Sequence, residues 1–241
     1  MLHKTKGIVL YNRPYSDVYS IALVYTETFG PVSYLIPRSN GRRNPVARSL
    51  FYPLSILDLD ADHQNLREIQ RIKEAKVHIH LSGFSQDPVK SSIGIFLAEF
   101  LSKILREIHP NELLFFYLID SIRILDLSQE NYVNFHLCFL INLSRYLGFY
   151  PHMETYTHRA FFDMQNGVFV SYRPTSPHVL NPDESFVFFQ IMRMNYPNMK
   201  AFHFSGRERR LIIDRILEYY RLHLVNFPDI KSLEVLHEVF G

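Results

Sequence analysis

The stretch VYSIALVYTETFGPVSYLIP, residues 18–37, decides the fold of the first part of this chain. Two runs of strand-forming residues, 18–26 and 32–36, meet there at the turn Phe29-Gly30-Pro31. Gly30 can adopt a positive φ at such a turn, and Pro31, which cannot donate a ladder hydrogen bond, suits the first residue of a strand. The stretch therefore predicts two antiparallel strands joined by a tight turn.

Side chains alternate along the first of these runs. Ile21, Leu23 and Tyr25 fall on one side of an extended chain, and Ser20, Ala22 and Val24 fall on the other. Further strand patterns occur at 6–10 and 50–60, whereas 66–81 is ambiguous, since its charge density suits a helix and its last five residues alternate. Four or five short strands in about eighty residues, without a helical pattern between the first ones, predict a small β-barrel.

Beyond residue 87 the pattern becomes helical. Apolar residues recur at three- and four-residue steps over 93–105, and helices are also predicted over 112–125, 132–147, 181–196 and from 205 onward. The residue types at Asp87, Asn181 and Ser205 predict N-caps of helices, and Gly148 predicts a C-cap. Turn residues and a short β-like run interrupt this pattern at 149–177. The sequence thus predicts an α+β protein, with a β-barrel domain at 1–82 and an α-helical domain at 83–241.

Composition excludes several classes of protein. The longest apolar run is too short to span a membrane, and the N-terminus shows no signal-peptide pattern. A single cysteine, Cys138, excludes an intramolecular disulfide and a multi-cysteine metal site, so we expect a cytoplasmic protein. The glycines form no phosphate-binding motif. The histidine pairs His78/His80 and His152/His158 lack the four-ligand spacing of zinc sites, and we expect no metal or cofactor.

Positive charge is concentrated near the N-terminus. Residues 1–56 contain seven Lys or Arg and two Asp or Glu, in a chain whose net charge is only +2. Aromatic residues are interleaved with these cations, and single-stranded nucleic acid is held by that combination, because cations follow the phosphates while rings stack on bases. The interleaved rings are Tyr11, Tyr15, Tyr19, Tyr34, Phe51 and Tyr52. Aromatic residues in strands are more often part of a core, so each ring has that alternative interpretation.

Two other functions are compatible with the sequence. Asp58, Asp60 and His63 would be the candidate residues of a metal-dependent hydrolase or transferase between the β unit and the helices, although alternating acids on a strand are more often solvated. The chain could also be a scaffold that binds only proteins, with its arginines at the rim of an interface.

Several motifs together resemble the RecO family of bacterial recombination mediators. The run Lys6-Gly7-Ile8-Val9-Leu10, then Tyr15-Ser16-Asp17, then residues 26–33 and the arginine-rich loop are similar to the start of RecO. The segments 207–224 and 231–236 resemble the end of that family's chains. The resemblance covers nearly the whole chain.

The resemblance implies an N-terminal OB-fold, a helical C-terminal domain and a non-catalytic role in DNA repair and recombination. RecO proteins bind single- and double-stranded DNA, anneal complementary strands and, with RecR, help RecA load onto DNA coated by SSB, whose acidic C-terminal tail they contact. We expect a cytoplasmic, nucleoid-associated protein with these partners. The implied DNA contacts are Lys6, Arg13, Arg38, Arg42, Arg43 and Arg48, with Tyr15 and Tyr34 as stacking rings; the candidates for the SSB tail are Arg207, Arg210 and Arg215.

One departure from the family concerns zinc. Many RecO proteins carry four cysteines in the segment that corresponds to 149–177, where this chain has none and places Tyr156, Arg159 and Ser171 near the expected thiols. We expect a degenerate, cysteine-free insertion in which aromatic residues replace the metal. The proposed replacements are Phe161, Phe162, Phe169 and Tyr172.

Overall fold

The structure is a computed structural model that describes residues 2–38, 46–64, 66–106 and 109–239. Its N-terminal part is a closed five-stranded barrel with strand order β1-β2-β3-β5-β4. The strands are β1 (Leu2–Pro14), β2 (Tyr19–Thr26), β3 (Gly30–Pro37), β4 (Ile56–Asp62) and β5 (Ile69–Ile79). The predicted OB-like barrel is confirmed, and the ambiguous segment at 66–81 contains a strand.

The predicted turn joins β2 and β3. These strands pair antiparallel from Tyr19 opposite Pro37 to Thr26 opposite Gly30, and Gly30 has a φ of 68°. The Thr26 hydroxyl donates to the carbonyl of Gly30 at 2.8 Å and accepts from the Phe29 amide at 3.0 Å. The Thr26 side chain therefore adds two hydrogen bonds that hold the tight turn.

The strand β1 pairs with β4 and with β2 and contains a β-bulge. Residues Leu2 to Ile8 pair with β4, residues Gly7 to Pro14 pair with β2, and the register with β2 shifts between Val9 and Tyr11. A bulge increases the local bend and twist of a strand, which helps a short sheet to close. The barrel closes through a parallel pairing of β3 with β5 over Ser33–Leu35 and Ile69–Arg71.

The barrel interior contains one face of each strand. Ala22 and Val24 belong to this core with Val9 and Leu57, whereas Tyr25, on the other face of β2, packs its ring against Phe115 at 6.1 Å. The predicted alternation along β2 is thus confirmed.

Helices dominate the rest of the chain and are often capped as the sequence predicts. Asp87 caps α2 by accepting from the amides of Val89 and Lys90, and Gly148 ends α4 with a φ of 85°. The helices are α1 (Gly83–Gln86), α2 (Pro88–Ile104), α3 (Glu112–Leu127), α4 (Phe135–Leu147), α5 (Pro182–Met192), α6 (Gly206–His223) and α7 (Ser232–Val239). None of the helices in the described ranges is long and apolar enough to cross a bilayer.

The helix predicted over 181–196 ends earlier than expected. α5 stops at Met192, and Asn195 and Asn198 then exchange hydrogen bonds, each side-chain oxygen accepting from the other residue's amide at 2.7 and 2.9 Å. Asparagine side chains compete with helical hydrogen bonds in this way, so the predicted continuation to residue 196 is wrong.

The chain divides into two compact units. The barrel unit contains residues up to Leu127 and returns at Ile230–Leu236, and the helical unit contains Ser128–Asp229 and the residues from His237. β5 ends at Ile79 and α1 begins at Gly83, next to the predicted junction. The domain bounds 1–82 and 83–241 stay a prediction.

The cysteine-free insertion in the helical unit is built around aromatic rings. It forms a three-stranded sheet of β6 (Phe161–Asp163), β7 (Val168–Val170) and β8 (Val179–Leu180). Phe162 packs against Phe169 at 4.7 Å, and Tyr156 stacks on Phe189 at 4.0 Å. Tyr172 is 68% exposed, so its predicted place in the cluster is wrong.

Glu99 on α2 holds the segment that returns to the barrel unit. Its carboxylate accepts from the amides of Lys231 and Ser232 at 3.1 and 2.7 Å and pairs with Lys103 at 2.7 Å. Partial burial acts to raise the pKa of Glu99, but the hydrogen bonds from Lys103, Ser232 and Lys231 outweigh it and lower the pKa to about 2. Glu99 therefore caps the first turn of α7 from another helix.

We expect Glu99→Gln to lower the free energy of unfolding by about 1–2 kcal/mol at pH 7. Because the folded-state pKa is lowered, the carboxylate stabilises the protein above the unfolded-state pKa and loses this effect as the pH falls from about 4 toward 2. Urea unfolding of both proteins at pH 7 and pH 3 measures the difference, which should shrink at the lower pH. The exposed Glu238→Gln is the control, and a pH-independent difference would contradict the assignment.

Candidate nucleic-acid interface

A groove of about 590 Å³ lies on the outer surface of the barrel unit. We call it the barrel groove. It lies where β3 and β5 begin their three-residue pairing, because the residues that precede this pairing on both segments line it. Its lining comprises Tyr11, Arg13, Leu23, Thr28, Phe29, Pro31, Val32, Ser33, His63, Arg67, Glu68, Gln70, Arg106 and Pro110.

The bulge in β1 directs two of these side chains into the groove. Val9 lies in the barrel core opposite Val24, so simple alternation would place Tyr11 inside as well. The register shift instead sets Tyr11 opposite Leu23, on the outer face of β2. The extra residue of the bulge reverses which side chains of the strand point inward and which point outward. Tyr11 and Arg13 therefore line the outer groove.

The groove combines cations with ring faces. The lining contains three arginines, Arg13, Arg67 and Arg106, and one acid, Glu68. The guanidinium of Arg13 lies 5.2 Å from the centroid of the Tyr11 ring, a cation–π geometry. Such a lining can accept phosphates and an unpaired base side by side.

Two of the three arginines also have fixed positions. Arg67 forms an ion pair with Asp62 at 3.0 Å, and Arg106 donates through Nε to the carbonyl of Ser102 at 3.2 Å. These contacts restrict the rotamers of long side chains before a ligand binds, which reduces the entropy lost on binding.

A stacked ring pair borders the groove. The rings of Phe29 and His63 are 4.0 Å apart and nearly parallel, with an interplanar angle of 5°, and His3 meets Phe29 edge-on at 5.3 Å. Burial, followed by the charge of His3, lowers the pKa of His63, so this imidazole is neutral at pH 7. A neutral ring keeps the pair an aromatic surface rather than a charged one.

Two further predicted residues meet at the loop between β1 and β2: Tyr15 belongs to this loop, and Arg38, which follows β3, contacts it. Tyr15 is 63% exposed there, and Arg38 donates through Nη1 to the carbonyl of Ser16 at 2.9 Å. The Arg38 amide also donates to Val18. The structure therefore brings Tyr15 and Arg38 to the same loop, although neither lines the barrel groove.

Tyr34 is fully buried in the barrel core, opposite Ala22. Burial raises the pKa of its hydroxyl well above the usual value. A ring enclosed in this way cannot stack on a base, so the predicted stacking role of Tyr34 is corrected to a packing role.

Lys6 lies among acids rather than among the other predicted cations. It pairs across the sheet with Asp58 of β4, as Lys4 does with Asp60. A hollow of about 390 Å³ around them is lined by three lysines and four acids, and none of its residues lines the barrel groove. Cross-strand pairing with acids weakens attraction for phosphate at Lys6. The residues that line this hollow are Lys4, Thr5, Lys6, Glu27, Asp58, Leu59, Asp60, Glu74 and Lys76.

The other cations predicted to contact DNA are Arg42, Arg43 and Arg48. Arg48 is exposed in a single 3₁₀ turn, Arg48–Leu50. Arg42 and Arg43 lie outside the residues that the structure describes.

The residues of the alternative metal-dependent enzyme are not brought together. Asp58 forms a contact with His78 at 3.0 Å within the charged sheet, whereas His63 stacks on Phe29 in the barrel groove. Over residues 2–38, 46–64, 66–106 and 109–239, no three His, Cys, Asp or Glu side chains are grouped to hold a metal ion. The structure gives this alternative no assembled site.

The predicted arginines of α6 have different surroundings. Arg207 is exposed in the first turn, whereas Arg210 donates through Nη2 to the carbonyl of His237 at 2.5 Å. Arg215 forms ion pairs with Glu184 and Glu218 at 2.8 and 2.9 Å. The three guanidinium groups therefore do not form one carboxylate-binding cluster.

Comparison with known proteins gives the family. A family model described as Recombination protein O N terminal matches residues 1–79, and one described as Recombination protein O C terminal matches residues 85–234. Proteins named DNA repair protein RecO are 51% identical in Azobacteroides pseudotrichonymphae, 45% in Phocaeicola vulgatus and 43% in Bacteroides fragilis. Each of these matches covers 100% of both chains. The closed barrel, the helical second half and these full-length matches together show that the chain belongs to the RecO family.

Proposed function

We propose that this protein is a non-catalytic DNA repair mediator that holds single-stranded DNA in the barrel groove. One observation carries the proposal: a groove with three arginines, one acid and several rings lies on the barrel of a RecO-family chain. The relatives are named DNA repair proteins, which agrees with such a ligand.

The proposed binding follows from two physical interactions. Arg13 and Arg106 attract the phosphates and release counterions from the strand, which gives affinity without sequence preference. Arg67 contributes less, because its ion pair with Asp62 offsets part of its charge. Tyr11 offers a ring that tolerates any base, because every base has a π-face. Tyr15 and Arg38 at the β1–β2 loop extend the proposed contact, and Lys6 and Tyr34 are left out of it.

Strand annealing would need no catalytic side chain. A cationic surface that binds two strands lowers their phosphate repulsion and raises their local concentration. In this proposal the protein also binds double-stranded DNA, acts with RecR and helps RecA to load onto SSB-coated DNA.

The acidic tail of SSB is proposed to bind the helical unit at Arg207. This side chain is exposed, whereas Arg210 and Arg215 already donate to His237 and to two glutamates. Arg207→Ala should weaken binding of a tail peptide in a fluorescence titration, with Arg123→Ala as a control of equal charge.

We expect Arg13→Ala to weaken binding of a labelled dT oligonucleotide about three- to tenfold at low salt, because a phosphate contact is lost. The slope of log K against log salt should fall in magnitude by about 0.7 for each lost contact to a single strand. Fluorescence anisotropy at several salt concentrations measures both quantities. Arg123→Ala removes the same charge from the exposed surface of α3. Equal effects of the two substitutions would exclude the groove as the site, and salt-independent or absent binding would leave a protein-only scaffold.

Tyr11→Leu tests stacking separately from charge. Loss of a stacked base costs about 1–3 kcal/mol, so binding of a dT oligonucleotide should weaken at least about fivefold. A strand of the same length with abasic sites should bind the variant and the parent protein equally. Tyr52→Leu, at a ring that is 66% exposed and lies outside the groove, is the control. An equal loss on the abasic strand would assign Tyr11 to barrel stability instead.

The double substitution Arg42→Ala and Arg43→Ala tests the arginine-rich loop from its sequence alone. We expect weaker binding to all DNA sequences alike, with a salt slope flatter by about 0.7 per lost phosphate contact. Anisotropy with two oligonucleotides of different sequence measures this. Unchanged affinity would exclude the arginine-rich loop from the proposed DNA site. It would not test the binding of DNA in the barrel groove.

A further inference from the structure

A second groove, of about 230 Å³, lies within the helical unit between α5 and α6. We call it the α5–α6 groove. Its floor is apolar and contains the buried side chains of Phe188 and Ile212. Leu211 borders it and is 57% exposed. The remaining apolar lining residues are Leu180, Val187 and Phe204.

The rim of this groove is acidic. Asp183, Glu184 and Glu208 line it together with one cation, Arg215. Arg215 is held by ion pairs to Glu184 and to Glu218, so its charge is already compensated within the unit. The same ion pair offsets the charge of Glu184, so the excess negative charge of the rim comes from Asp183 and Glu208.

Two of the acids are fixed by the helices that they begin. Glu184 completes a capping box with Asn181, and Glu208 completes one with Ser205. Hydrogen bonds from Ser205 lower the pKa of Glu208, which keeps this carboxylate charged at neutral pH. The positive ends of both helix dipoles are thus compensated by carboxylates, and the groove loses the anion affinity of an uncapped helix start.

We propose that the α5–α6 groove binds a segment of a partner protein that carries an apolar side chain flanked by lysine or arginine. The apolar floor would take the side chain, and the acidic rim would attract the flanking cations. An acidic segment would meet like charges at Asp183 and Glu208, which is unfavourable. Such an occupant differs in charge from DNA and from the tail that is proposed to bind at Arg207.

Three fluorescein-labelled peptides of equal length test this with the full-length protein. The first has a Phe-Leu pair flanked on each side by two lysines, the second replaces the lysines with aspartates, and the third replaces the Phe-Leu pair with serines. Fluorescence anisotropy should show at least about tenfold tighter binding for the first peptide than for either other one. Equal or tighter binding of the acidic peptide would overturn the proposal. Such a result would instead indicate that the acidic peptide binds near Arg207, which lies one helical turn before Leu211.

Two pairs of variants locate the binding. Leu211→Ala should weaken the first peptide about fivefold, whereas Leu113→Ala, at an exposed leucine of α3, should not. Asp183→Asn should weaken it about two- to threefold at low salt, and Asp120→Asn should not. Circular dichroism melting curves check that each variant is folded. If folded Leu211→Ala and Asp183→Asn proteins bind like their controls, the groove is not the site.

Discussion

The β-bulge in β1 is the constraint on which the barrel and its groove depend. The 13-residue strand β1 pairs with β4 from Leu2 to Ile8 and with β2 from Gly7 to Pro14, and the bulge between Val9 and Tyr11 adds bend and twist to it. The same extra residue moves Tyr11 and Arg13 from the inner face to the outer face of the barrel. The bulge therefore exposes the candidate binding residues and, together with the register shifts between β4 and β5, helps the barrel to close.

Local features could be predicted from the sequence because they depend on neighbouring residues. The turn at Gly30 and the caps at Asp87, Asn181 and Ser205 require only a few adjacent side chains. The barrel groove could not be predicted, since it joins residues as distant as Arg13 and Arg106. No local pattern marks Arg67, Arg106 or Phe29 as members of one surface.

The error at Tyr34 has a different origin. Composition placed it among the stacking rings, but alternation along β3 and its pairing with Ala22 direct it into the core. Lys6 shows that counting charges along the sequence has a similar limit, because it does not show which cations lie next to acids. The N-terminal surplus of +5 includes Lys4 and Lys6, which the sheet sets opposite Asp60 and Asp58. A local net charge predicts a class of ligand, whereas strand register decides which cations can contact it.

The two units carry candidate surfaces of opposite charge. Phosphate is attracted to the arginines of the barrel groove and repelled by the acidic rim of the α5–α6 groove. Under the two proposals, a nucleic acid would therefore not compete for the apolar floor at Phe188 and Ile212. A basic peptide, in turn, gains nothing from Arg13, Arg67 and Arg106. Under the two proposals, opposite charge would direct a DNA strand and a basic protein segment to different surfaces of one chain, as a mediator between DNA and other proteins requires.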